Sequence, residues 1–171
     1  MAFPVARAAS LAHIARESSN IHRLSQFYKE MFGFEEIESP DFGALKVIWL
    51  NLPSAFQLHL IERDPNSKLP EGPCSATSPV ADPSHLPRGH HICFSVPISN
   101  FDSLVHALKK VCSSFYMHYS PNVLDMGGLN YVLLQEKGIQ TFEKTLPNGK
   151  VKQVFFFDPD GNGLEIASRE D

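Results

Sequence analysis

Apolar and polar positions along the chain change period several times, and the changes come in a repeated order. Ser10 to Arg16 reads as a short strand, and Ser18-Ser19-Asn20 offers side chains suited to capping a helix. From about Ile21, the residues Ile21, Leu24, Phe27, Tyr28 and Met31 recur at the spacing of one helical face, and Gly33 stands where a left-handed cap belongs. Phe34 to Ile37, Leu45 to Leu50 and Phe56 to Ile61 read as strands, the last two joined by a turn over Asn51 to Ala55. The order is strand, helix and three strands.

The same order returns further on. His90 to Val96 is a strand, and Phe101, Leu104, Val105 and Leu108 define a helical face that runs to Lys110. Gln140 to Glu143, Val151 to Phe157 and Gly163 to Ser168 are strands, with turns at Pro147-Asn148-Gly149 and Asp158-Pro159-Asp160-Gly161. The predicted fold class is α+β, with a first βαβββ module over 8–62 and a second over 90–168. Between them, 63–89 reads as a Pro-rich linker, because six prolines from Pro65 to Pro87 remove backbone donors and deny it a regular ladder or helix. Residues 111–135 have no counterpart in the first module and read as a disordered insertion at a helix C-terminus; without them Lys110 would run directly into Glu136-Lys137-Gly138.

Composition narrows the function. The chain has 171 residues, a formal charge of −4 and no Lys/Arg cluster, which argues against nucleic acid as a partner. A small-molecule ligand is the expected partner. The cysteines Cys74, Cys93 and Cys112 lack framework spacing, so a reducing, cytoplasmic location is expected. No run of apolar residues is long enough to span a membrane, and no signal or transit segment is evident.

Aligning the two modules on their first strands sets His13 against His91, and aligning them on their last strands sets His59 against Glu165. Three imidazoles and one carboxylate at four corresponding positions suit a divalent metal such as Zn, Ni, Fe, Mn or Co. The ordinary reading of an isolated strand histidine is a packed residue satisfied by a backbone partner. Duplication weighs against it for His13 and His91, whereas His59 stands between the two readings. His22 and His106 on the helices, His85 in the linker, His118 in the insertion and His90 beside His91 are read as solvated or incidental.

Leu11-Ala12-His13-Ile14, Phe27-Tyr28, Met31-Phe32-Gly33-Phe34, Gly89-His90-His91-Ile92 and the segment from Phe157 through Asp158-Pro159-Asp160-Gly161 to Glu165-Ile166 together resemble the vicinal oxygen chelate superfamily. That superfamily includes glyoxalase I, fosfomycin- and bleomycin-resistance proteins and extradiol dioxygenases, and the text around Phe156-Phe157-Asp158 is most similar to the plant glyoxalase I-like group. The resemblance implies a curved mixed sheet from both modules around a shared cavity, the two modules pairing within one chain or with a second chain in a homodimer. It implies metal ligands at His13, His91 and Glu165, with His59 where glyoxalase I has a glutamate. It further implies a metal-dependent lyase of the glyoxalase I (lactoylglutathione lyase) type, with glutathione as co-substrate and Glu165 as the catalytic base.

Two other readings stay open. Two His and one Glu also resemble the thiol transferases and extradiol dioxygenases of the same scaffold. A non-catalytic module could instead hold an apolar ligand against Trp49, Phe56 and Phe94. Arg16 lies one position from the place of a glutathione-pairing arginine, which on a strand reverses its face, so that role is not carried over.

Overall fold

A computed structural model of the chain describes residues 10–66, 82–110, 139–147 and 149–170. The chain divides into two compact units, Met1–Lys68 and Leu69–Asp171. In the first unit, strand β1 (His13–Ser18) leads to helix α1 (Ile21–Phe32), followed by β2 (Glu35–Ile37), β3 (Val47–Asn51) and β4 (Gln57–Glu62). In the second, a 3-10 helix (Pro83–Arg88) precedes β5 (His91–Pro97), α2 (Ile98–Lys110), β6 (Phe142–Thr145), β7 (Lys152–Phe157) and β8 (Gly163–Arg169).

Each unit is a βαβββ module with one four-stranded mixed sheet, ordered β1-β4-β3-β2 in the first and β5-β8-β7-β6 in the second. The first and last strands of each module run parallel, with the first at the edge of the sheet and the last beside it, and the others pair antiparallel. A parallel pair needs a crossover, which the helix after the first strand begins. The predicted repeat is thus present in strand order and pairing direction alike.

Side chains alternate between the two faces of each sheet. In the first unit Ile48, Leu50, Leu58 and Leu60 are buried together with Ile21, Leu24, Phe27 and Tyr28 of α1. In the second, Phe94, Val154, Phe156, Leu164 and Ile166 are buried with Phe101, Val105 and Leu108 of α2. Asn20 caps α1 by accepting from the Arg23 amide, and Gly33 closes it at φ 72°. Lys152 ties β7 to α2 through both carboxylate oxygens of Asp102.

Several element limits differ from expectation. β1 begins at His13 rather than Ser10, β3 at Val47 rather than Leu45, and β6 is shifted from Gln140 to Phe142. The largest difference lies in the Pro-rich stretch. Its end is a 3-10 helix, not an irregular linker, because Asp82 caps it by accepting from Ser84, and a proline occupies its first turn, where no amide partner is needed. Leu86 of that helix is fully buried and packs with Phe155, Phe157 and Phe142. The expected insertion at 111–135, and His118 within it, lie outside the described residues.

Candidate metal centre

The repeat extends to the register of the site residues. His13 pairs with Gln57 and Ala15 with His59, while His91 pairs with Gly163 and Cys93 with Glu165. His59 is therefore to His13 what Glu165 is to His91. Across the next ladder, His59 faces Trp49 and Glu165 faces Phe155. All of these side chains lie on the face of their own sheet opposite the helix.

In the second unit the carboxylate of Glu165 is buried and fully engaged. Its Oε2 is 2.8 Å from His91 Nε2, and its Oε1 accepts from Gln153 Nε2 at 2.5 Å. His91 Nδ1 donates to the Gly89 carbonyl at 3.0 Å, and Phe155 meets the imidazole edge-on at 5.6 Å. The Gly89 contact fixes the ring and turns Nε2 toward Glu165; it is a hydrogen bond of the kind that metal-binding histidines commonly make with their outer nitrogen. Ligands about 2.1 Å from one ion at right angles sit about 3 Å apart, so the His91–Glu165 spacing fits a shared divalent cation. The Cys93 thiol beside them is pushed up to about 11, first by burial and then by the charge of Glu165 and a hydrogen bond to it.

The first unit is built differently. His59 lies between two rings, with His13 stacked at 4.1 Å and an interplanar angle of 11°, and Trp49 at 4.3 Å and 3°. Its Nε2 donates to Gln57 Oε1 at 3.3 Å. Burial, then the neighbouring His13, holds the His59 basicity below its ordinary value. Imidazole lone pairs lie in the ring plane, so two rings this nearly parallel do not aim at one ion. The stack engages the face of His13 and leaves its in-plane nitrogens open, whereas His59, with a ring on each face and its Nε2 on Gln57, has the geometry of a packing residue.

Within neither unit are three His, Cys, Asp or Glu side chains gathered into a metal-holding group among the described residues. His22, His85, His90 and His106 are exposed, in line with the role expected of them. Of the three aromatic residues expected to line an apolar ligand cavity, only Trp49 shares the histidine face. Phe94 pairs with Ile166 on the helix-covered face, and Phe56 packs against Phe34, which in turn meets Tyr28 of α1. Arg16 pairs with Leu60 and so lies on the helix side, as its spacing predicts.

A cavity of about 510 Å³ opens between the 3-10 helix and β6, lined by Ser84, His85, Pro87, Arg88, Phe142 and Lys144. Arg88 and Lys144 give it a cationic rim, and Phe142 is the register partner of Phe155 on the Glu165 face. Sequence reasoning missed this cavity, since it treated Arg88 as linker and ended the strand at Glu143, one residue before Lys144. Gln153 was missed as well; only its register relative to Glu165 reveals it.

No protein-family profile matches the sequence, and no curated protein does. Solved structures do match it. A glyoxalase/dioxygenase from Nostoc punctiforme is 18% identical over 100% of this chain and 98% of that one, with a TM-score of 0.60. A variant of the fosfomycin resistance protein FosX from Listeria monocytogenes, complexed with Mn(II) and 1S,2S-dihydroxypropylphosphonic acid, is 18% identical over 94% of this chain and 92% of that one, with a TM-score of 0.59. A lactoylglutathione lyase from Agrobacterium tumefaciens is 16% identical over 95% of each chain, with a TM-score of 0.50. Strand order, module repeat and these likenesses agree: the chain has the two-module βαβββ fold that these proteins share.

Proposed function

We propose that the chain is a metal-dependent enzyme of the glyoxalase I type, acting on the adduct of a small dicarbonyl with a thiol such as glutathione. The observation that carries this reading is the buried Glu165 carboxylate, set between His91 and Gln153 on the face away from α2. His13, His91 and Glu165 would hold a divalent cation, which when bound supplies Lewis-acid polarisation of two adjacent substrate oxygens. Glu165 takes the proton from one carbon of the adduct and returns it to the next. Arg88 and Lys144 at the cavity rim suit the carboxylates of a peptide thiol. Phe142 and Phe155 give the same side of the sheet an apolar wall that limits water around the reacting carbons.

A second reading has its own support. His59 occupies the register position of Glu165 in the other module, yet it is held between two rings, which leaves two histidines and one carboxylate as the candidate ligands. That set suits thiol transfer to an activated small molecule or oxygen insertion as well as it suits the lyase.

The test begins with the metal content of the purified chain, compared with His91→Ala and Glu165→Gln. Stoichiometric metal in the wild type, depleted in both variants, supports the centre; metal undiminished in both overturns it. Methylglyoxal with glutathione then separates the readings. Formation of the thioester product, lost in Glu165→Gln, supports the lyase, and a metal-loaded chain that forms none moves the assignment to the second reading.

A further inference from the structure

Gln153 is the residue next to the candidate centre for which the fold itself gives no reason. It lies on β7 two residues before Phe155, the register partner of Glu165, and is therefore a diagonal neighbour on the same face. Only an amide nitrogen can donate to a carboxylate, so the chemistry fixes which end of the Gln153 side chain meets Glu165 Oε1. His91 meets the other oxygen, Oε2. With one partner on each oxygen from each flanking strand, the carboxylate plane is set from both sides. Rotation about the last side-chain bond of Glu165, broad in an unheld glutamate, is thereby removed.

The internal repeat supplies the comparison. Gln153 pairs with Ala167 two residues beyond Glu165, just as Val47 pairs with Ile61 two residues beyond His59. The first module builds the same ladder with valine at this position. An amide is thus not needed to form the strand, and donor and carboxylate occur together in one module and are both missing from the other.

We propose that Gln153 is a positioning residue, which orients the Glu165 carboxylate so that Oε2, beside His91 Nε2, is the oxygen presented to a divalent cation. This rests on the reading of Glu165 as a ligand of the metal centre, and the test separates the two. The whole chain, stripped with chelator, is titrated calorimetrically with Zn(II) and separately with Mn(II), as wild type, Gln153→Met, Glu165→Gln and the double variant. The expected result is affinity about 10- to 100-fold weaker in Gln153→Met, the range lost when an outer partner of a ligand is removed. In the Glu165→Gln background the same substitution should bring no further loss, because the group it orients is gone.

Gln153→Val, which copies the residue that the first module accepts, is expected to match Gln153→Met and serves if the methionine variant does not fold. Wild-type affinity in Gln153→Met and Gln153→Val, with loss in Glu165→Gln, overturns the positioning role and leaves the reading of Glu165 intact. An equal loss from the Gln153 substitution in both backgrounds also overturns it, since the amide then acts other than through Glu165. Wild-type affinity in Glu165→Gln, or a wild type that binds neither ion, overturns both.

Discussion

His59 and Glu165 occupy one register position in two copies of one module, and their surroundings differ with their chemistry. A carboxylate has two oxygens to engage, and those of Glu165 meet His91 and Gln153; an imidazole has two flat faces, and His59 has His13 and Trp49 against them. The His59 environment has a pH consequence in metal-free protein. The unfolded histidine takes up its proton as pH falls through about 6.5, whereas folded His59 does so only at lower pH. Within that window the unfolded chain binds more protons, so stability is full above pH 6.5 and declines with acidification below it. Urea midpoints at pH 7.5, 6.5 and 5.5 should therefore fall more steeply for wild type than for His59→Phe, which keeps a flat ring between His13 and Trp49. Parallel profiles for the two proteins would remove His59 as their cause. At this scale the sequence showed His13, His59, His91 and Glu165 as corresponding residues, because duplication marks them. It could not show the His13–His59–Trp49 stack, the Gly89 carbonyl on His91 or the Gln153 contact, which depend on register across strands far apart in the chain.

The elements that position the centre are held to it by close approach rather than by long contacts. Gly163 opens β8 opposite His91, and a Cβ there would lie 2.5 Å from both the His90 carbonyl oxygen and Leu86 Cδ2, and 3.2 Å from His91 Cβ. The 3-10 helix, β5 and β8 thus meet at one position that only glycine fits. Gly163→Ala should destabilise the chain by about 1–3 kcal/mol through overpacking, about 2–4 °C of melting temperature per kcal/mol at this chain length. The denaturant midpoint should shift with an unchanged slope. Because His91 Cβ is among the atoms that must give way, the same variant should bind Zn(II) more weakly than wild type. A variant as stable as wild type would show that Leu86 and the His90 carbonyl yield at little cost. Helices α1 and α2 were legible because their apolar faces recur over three turns, whereas β6 slid by two residues because Gln140 to Thr145 carries little alternation. The 3-10 helix was hidden by its prolines, which exclude a long helix but suit the first turn of a short one.

For the whole molecule, the repeat in strand order and in the register of the corresponding residues was legible from paired His-Ile text and matching helix faces. The unequal halves were not. The second module offers a carboxylate and an imidazole already 2.8 Å apart, whereas the first offers two histidines in a stack. Stacking engages the ring faces of His13 and leaves its in-plane nitrogens open, so the stack is compatible with His13 as a ligand and with His13 as a stacking residue alone. Metal titration of His13→Ala, His91→Ala and His59→Phe decides between these. If His13 is a ligand, its removal should weaken Zn(II) binding by more than the roughly 10–100-fold that outer partners contribute. The loss should equal that in His91→Ala, while His59→Phe should bind as wild type or more tightly, since phenylalanine still fills the place beside Trp49 but competes for no proton or metal. Undiminished binding in His13→Ala together with loss in His91→Ala would confine the metal to the second module and leave His13 a stacking residue. Loss in His59→Phe equal to that in His13→Ala would instead make both members of the stack ligands and require the stack to open.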